Sequence, residues 1–263
     1  MMHSPEDQHR DVVYGVNPVR EALRAGLPID RAYTCKASGH ALPLIGEIKE
    51  KHRVPVIEID AKRMQALCAE PEQGREANHQ GIAVVLAAAA YQSVDDLLAR
   101  AEERGEEPLL VLLDGITDPH NFGAILRSAE ALGAHGVLIP KRRSASLSGT
   151  AFRASSGAAA HIGVARVSNL VSTMKELKEK GFWLAGTDAL APPAAASNLT
   201  GPLVLCIGSE GEGLSRLVRQ TCDFMVGIPL SGQTQSLNAS CAAAILLYEA
   251  SRQRALRSAN QTE

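Results

Sequence analysis

The chain has 263 residues, 45% hydrophobic and only 3% aromatic, with a formal net charge of −2. That length and apolar content allow two domains or one large one with a full core. The near-neutral charge excludes a generic polyanion binder, and the scarcity of aromatics excludes a stacking platform for single-stranded nucleic acid. The charge is unevenly spread. Residues 91–107 hold 6 acidic against 2 basic side chains, and residues 108–263 hold 14 basic against 11 acidic. An acidic connector therefore separates a neutral part from a mildly basic one.

The five cysteines include no C-x-x-C pair, and several sit in apolar runs. They are expected as reduced, buried thiols of a cytoplasmic protein, with neither a disulfide framework nor a zinc site. Residues 1–10 are polar, without the apolar centre of a signal peptide, and are expected as a disordered tail. The longest apolar run, residues 82–91, is too short to span a bilayer.

Residues 11–90 predict a small αβα domain. Strands are expected at 12–16, around Tyr33, at 54–59 and at 81–86. Helices are expected from Asn17 to Leu23 before Gly26, over 44–51 and over 61–68. Gly15, Asn17 and the run His79-Gln80-Gly81 flank these strands, where turn chemistry accounts for them. Residues 93–108 predict a charged, solvated helical linker.

From Leu109 the pattern becomes strand–helix–strand. A buried strand over 109–113 ends at Asp114. Asp118 caps a helix with Pro119 at its first position, ended by Gly133. Strands follow at 136–140, 161–167, 182–188, 203–208 and 224–230. Between them lie a long polar loop over 141–156 and helices from Ser168 to Lys180 and over 213–220. The last helix is expected to start at a Ser236 cap. Its apolar residues lie on every side, so burial on more than one side is expected. Strands alternating with helices predict a parallel sheet with helices on both faces, and ligands at the carboxyl ends of its strands.

Three loops at those strand ends carry polar groups: Asp114 to Arg127, Ile207 to Gly213, and Ser231 to Asn238. The second lacks the G-x-G-x-x-G spacing of a dinucleotide fingerprint, and Glu210 and Glu212 would repel a pyrophosphate. The same acidity excludes a phosphate-binding P-loop. A glycine-rich loop with carboxylates suits a ligand with hydroxyls, amines or positive charge, as in S-adenosylmethionine. Asn121, Arg127, Glu210, Ser236 and Asn238 are the polar groups that could converge.

The blocks N-F-G-A-I-L-R-S-A, I-G-S-E-G-E-G-L and I-P-L-S-G-x-x-x-S-L-N-A-S, in that order, resemble the three motifs of the SpoU/TrmH RNA ribose 2′-O-methyltransferases. The N-terminal V-Y-G-V-N-P-V-R-E-A-L and H-Q-G-I-A-V resemble the L30e-like RNA substrate-binding domain of the subgroup that methylates a guanosine of 23S rRNA. The resemblance implies domains at 11–90 and 108–258 joined by a linker at 91–107. It also implies a C-terminal trefoil knot in the α/β domain and a homodimer through the last helix. It implies S-adenosylmethionine as cofactor and no metal. Gly208, Ile228 and Leu237 match cofactor contacts, with Thr187 and Leu230 beside them. Asn121, Arg127, Glu210, Ser236 and Asn238 match catalytic positions. A guanidinium stays protonated in proteins, so Arg127 is expected to clamp a phosphate or the developing 2′-oxyanion rather than act as base. Lys141, Arg142, Arg143 and Arg153 are expected to meet RNA phosphates. The alternatives are a tRNA substrate, a non-catalytic RNA-binding protein of the same fold, and a nucleotide-dependent oxidoreductase.

Overall fold

The computed structural model describes residues 12–24, 27, 29–36, 39, 41–68, 77–86, 91–234 and 236–260. The expected tail, the Gly26 helix stop and residues 87–90 of the longest apolar run lie outside them. The chain forms two compact units, one of residues 1–90 with 147–160, the other of 91–146 with 161–263.

In the first unit the elements run β1 (Val12–Tyr14), α1 (Val16–Arg24), β2 (Ile29–Thr34), α2 (Leu42–Glu50), β3 (Val56–Glu58), α3 (Ala61–Cys68) and β4 (Ile82–Leu86). The sheet order is β1-β4-β2-β3, with only the β2–β3 pair parallel. β4 is buried along its whole length because it is central. The expected turn residues act in turns. Gln80 Oε1 accepts the Val16 N–H at 2.8 Å, the Gly81 N–H donates to His79 Nδ1 at 3.0 Å, and Gly15 takes φ +91°.

Residues 147–160 differ from the expected polar loop. Ser148 caps a short helix, α6 (Gly149–Ala154), through the Ala151 N–H, and a 3-10 turn follows at Ala158–Ala160. Phe152 of this segment is buried with Val13, Val19, Leu23 and Val84. At Gly149 a Cβ would lie 2.0 Å from the Val12 carbonyl oxygen, so only glycine lets α6 lie against β1.

The second unit contains α4 (Val94–Arg104), β5 (Leu109–Asp114), α5 (Pro119–Ala131), β6 (Gly136–Pro140), β7 (Gly163–Val167), α7 (Leu170–Glu179), β8 (Trp183–Thr187), β9 (Leu203–Gly208), α8 (Arg216–Thr221), β10 (Phe224–Val226) and α9 (Ala239–Asn260). Its six strands are all parallel in the order β10-β8-β9-β5-β6-β7. β5 and β9 are central and their apolar residues are buried on both faces. Leu110, Leu112, Val204 and Cys206 meet Leu97 of α4, Met174 and Leu177 of α7 and Val218 of α8. Strand side chains alternate in direction, so Leu109, Val111, Leu113 and Leu205 face the opposite layer. There α5 packs on β6 and on α9, and α9 packs on β9.

Three further sequence expectations need correction. Residues 93–108 are not a solvated linker: α4 buries Leu97 and Ala101. A Cβ at Gly136 or Gly163 would lie 2.5 or 2.3 Å from the Leu97 side chain, so these glycines make room for the helix. Asn169, not Ser168, caps α7, accepting the Ser172 N–H at 3.1 Å. α9 starts three residues beyond Ser236, because Asn238 Oδ1 accepts the Ser240 and Cys241 N–H groups at 2.9 and 3.3 Å. Within a single chain that helix is covered on one side only. Ala243, Leu246, Leu247 and Ala250 are buried, whereas Cys241, Ile245, Tyr248 and Leu256 are exposed. No helix among the described residues is long and apolar enough to cross a membrane.

Candidate active site

The site forms where β5, β8, β9 and β10 end, at the carboxyl edge of the parallel sheet. Asp118 caps α5 by accepting the His120 and Asn121 N–H groups, both at 3.1 Å. The cap holds the backbone of Asn121 in the first helical turn. After β9, the Ser209 and Gly213 N–H groups donate to each other's carbonyls at 3.1 and 3.0 Å, closing a tight turn around Glu210 and Glu212. Gly211 and Gly213 take φ of +86° and +67°, the left-handed region that glycine enters without strain. Asp114 ties this turn to β5 by accepting the Ser215 N–H at 2.8 Å.

The three expected loops converge on one carboxylate oxygen. Glu210 Oε1 accepts the Asn121 Nδ2 amide at 2.9 Å, the Ala239 N–H at 3.3 Å and the Asn238 Nδ2 amide. Asn238 Nδ2 also donates to Asn121 Oδ1 at 2.9 Å. Glu210 thereby sits at the N-terminus of α9, where a negative charge is favoured by the helix dipole.

Beside this network lies a cavity of about 480 Å³. Thr187, Gly208, Ile228, Leu230, Ser236 and Leu237 all line it, together with Glu210. At Gly208 a Cβ would lie 2.2 Å from the Gly213 carbonyl carbon, so this floor admits only glycine. Sequence reasoning missed Asp188 and Arg219 in the same wall. Asp188 accepts the Leu190 N–H at 2.8 Å and is ion-paired with Arg219. The Leu190 N–H and the Arg219 guanidinium hold the Asp188 carboxyl below its ordinary value. The signal for Asp188 was its place at the end of an expected strand.

The remaining expected residues lie elsewhere. Arg127 is on the exposed face of α5 and does not line the cavity. Lys141, Arg142 and Arg143 are exposed just after β6. Arg153 falls in the first unit, half-buried. Its guanidinium lies 4.4 Å over the Tyr14 ring and donates to the Val12 carbonyl at 3.3 Å and to Thr150 at 3.2 Å.

The model of the SpoU rRNA methylase family matches residues 108–248. The chain belongs to this SpoU family. A second model, for RNA 2′-O ribose methyltransferase substrate binding, matches residues 12–92. YacO of Bacillus subtilis, assigned to the TrmH family of tRNA/rRNA methyltransferases, is 41% identical over 94% of this chain and 97% of its own length. An uncharacterized tRNA/rRNA methyltransferase of Mycolicibacterium vanbaalenii is 43% identical over 93% of this chain and 77% of its own length. The SpoU methyltransferase AviRb of Streptomyces viridochromogenes, solved with its cofactor S-adenosylmethionine, superimposes with a TM-score of 0.74. It is 30% identical and the match covers 93% of this chain and 90% of that one.

The cavity of this SpoU member suits the same kind of ligand. Its volume falls in the range of about 300–1,000 Å³ usual for cofactor sites. Ile228, Leu230 and Leu237 offer apolar surface for an adenine, and Glu210 and Glu212 offer negative charge for an amine or sulfonium.

Proposed function

We propose that this protein transfers a methyl group from S-adenosylmethionine to a ribose 2′-hydroxyl of RNA, with a guanosine of 23S rRNA as the target. The observation that carries this reading is the meeting of Asn121 and Asn238 on Glu210, which lines a glycine-floored cavity. Bound S-adenosylmethionine supplies an electrophilic methyl on a sulfonium. The protein supplies position. Thr187, Gly208, Ile228, Leu230 and Leu237 would hold the cofactor, and Ser236 would order the closing loop at its wall. Fixing both reactants in line is worth several orders of magnitude in rate.

Glu210, Asn121 and Asn238 lock the turn after β9 to α5 and α9, so the cavity keeps its shape as the hydroxyl approaches. Arg127 clamps an RNA phosphate or the developing 2′-oxyanion, a role that suits a permanently charged planar group. Lys141, Arg142 and Arg143 meet the RNA backbone. The first unit, which matches a substrate-binding family model, provides a second grip on RNA.

The same reading carries a trefoil knot near the C-terminus, a homodimer through α9 and a cytoplasmic location. The exposed Cys241, Ile245, Tyr248 and Leu256 fall on one side of α9 at helical spacing, which supports the dimer. A tRNA substrate is the second reading, favoured by the tRNA/rRNA names of both relatives. Incubation with methyl-labelled S-adenosylmethionine and unmodified 23S rRNA or tRNA, followed by mapping of 2′-O-methyl positions, tests both. Label on a 23S guanosine ribose is expected. Label on tRNA alone would replace the rRNA reading, and label on neither would end the proposal.

A further inference from the structure

We infer that Glu212 makes the cavity select the charged methyl donor over its spent, neutral product; this rests on the reading of the cavity as an S-adenosylmethionine site. Four charged side chains line the cavity: Asp188, Glu210, Glu212 and Arg219. Two of the three carboxylates are engaged. Asp188 is paired with Arg219 and bonded to the Leu190 N–H. Glu210 takes the Asn121, Asn238 and Ala239 donors. Glu212 makes no side-chain hydrogen bond or ion pair with any described residue. Its backbone is nonetheless fixed, between two glycines in a turn closed at Ser209 and Gly213. A negative charge is thus held at the cavity wall with no partner among the described residues.

The two forms of the cofactor differ in what that charge would see. S-adenosylmethionine carries a sulfonium, an ammonium and a carboxylate, for a net charge of +1 by ordinary valence and pKa rules. After methyl transfer the sulfur is a neutral thioether and the net charge is zero. Shape differs by one methyl group, which apolar walls such as Ile228 and Leu237 discriminate weakly. Charge is therefore the larger handle. Glu212 is exposed, so water screens it and the preference is modest, about two- to fivefold. It is also salt-sensitive, because an exposed charge loses reach as the Debye length shrinks. The consequence is easier exchange of spent product for fresh donor.

Titration calorimetry of the full-length protein with S-adenosylmethionine and S-adenosylhomocysteine, for wild type and Glu212→Gln, tests this without turnover. The expected result is a donor Kd weakened about two- to fivefold in the variant, a smaller change in the product Kd, and a wild-type preference that shrinks as salt is raised. Glu212→Lys should invert the preference. Equal shifts for both ligands, or none, would overturn the inference while leaving the cofactor site standing. Wild-type protein that binds neither ligand would overturn the cofactor reading itself.

Discussion

Glu210 Oε1 accepts the Asn121 amide at 2.9 Å although 89 residues separate the two. That bond joins the loop after β9 to the start of α5, and Asn238 closes the triangle from the start of α9. Replacing Glu210 by Ala removes the one oxygen that the Asn121, Asn238 and Ala239 donors share. Methyl transfer should fall on the order of 10²-fold, the usual cost of a misplaced reacting geometry. Single-turnover kinetics at saturating RNA and cofactor would check it, and a variant within threefold of wild type would contradict the role.

Gly208 should tolerate no side chain. The Cβ of Gly208→Ala would sit 2.2 Å from backbone of Gly213, which no rotamer change relieves. We expect loss of measurable S-adenosylmethionine binding and destabilisation of about 1–3 kcal/mol from overpacking. Calorimetry and a thermal melt read the two effects separately.

His135 gives the second unit a pH dependence. Its Nδ1 accepts the Leu109 N–H at 3.0 Å, and its Nε2 lies 3.1 Å from Glu106. Burial pushes its pKa below 6.5, against the opposing pull of Glu106. The unfolded chain therefore binds a proton more readily than the folded one. Stability from this group is full above the unfolded value of 6.5 and is lost as pH falls from there through the lower folded value. Gln in place of His135 can keep one acceptor and one donor without titrating. Melts across that window should show a flatter pH profile for His135→Gln; parallel profiles would remove His135 as the cause.

Lys141, Arg142 and Arg143 should act on RNA through charge alone. Changing all three to Gln should reduce the slope of log affinity against log salt by about 2 to 3. Arg153→Gln should leave that slope unchanged and lower the stability of the first unit by about 1 kcal/mol, because its guanidinium is committed to Tyr14 and Val12. Filter binding over a salt series separates the two classes, and a slope moved by Arg153 would reassign it to RNA.

Paired Ile245→Asp and Tyr248→Asp changes should convert a dimer to a monomer in sedimentation equilibrium with the far-UV spectrum retained. The two side chains are 44% and 59% exposed on one face of α9, so the fold of a single chain does not need them. A variant that remains dimeric would move the interface off this helix.

Much of the second unit was legible in local pattern. β5, β6 and β9 are unbroken apolar runs, and such runs between turn signals are buried parallel strands. Asp118-Pro119 announced α5, because a capping carboxylate and a residue without N–H satisfy the same unbonded helix end. The motif residues Asn121, Glu210 and Asn238 were visible as types and spacings. Their meeting was not, since contact across 89 or 117 residues depends on the order of strands in the sheet and not on any local preference. Tertiary packing also decided the fate of α4, whose charged face hid the Leu97 contact with Gly136 and Gly163. It decided which side of α9 is covered, because a helix apolar all round carries no signal of its own for direction. It gave Arg153 the Tyr14 ring to stack on, 139 positions earlier in the chain. Residue chemistry and periodicity are properties of short stretches and were fixed by the sequence alone. Which stretch faces which is a property of the whole chain, set by burying every apolar face at once.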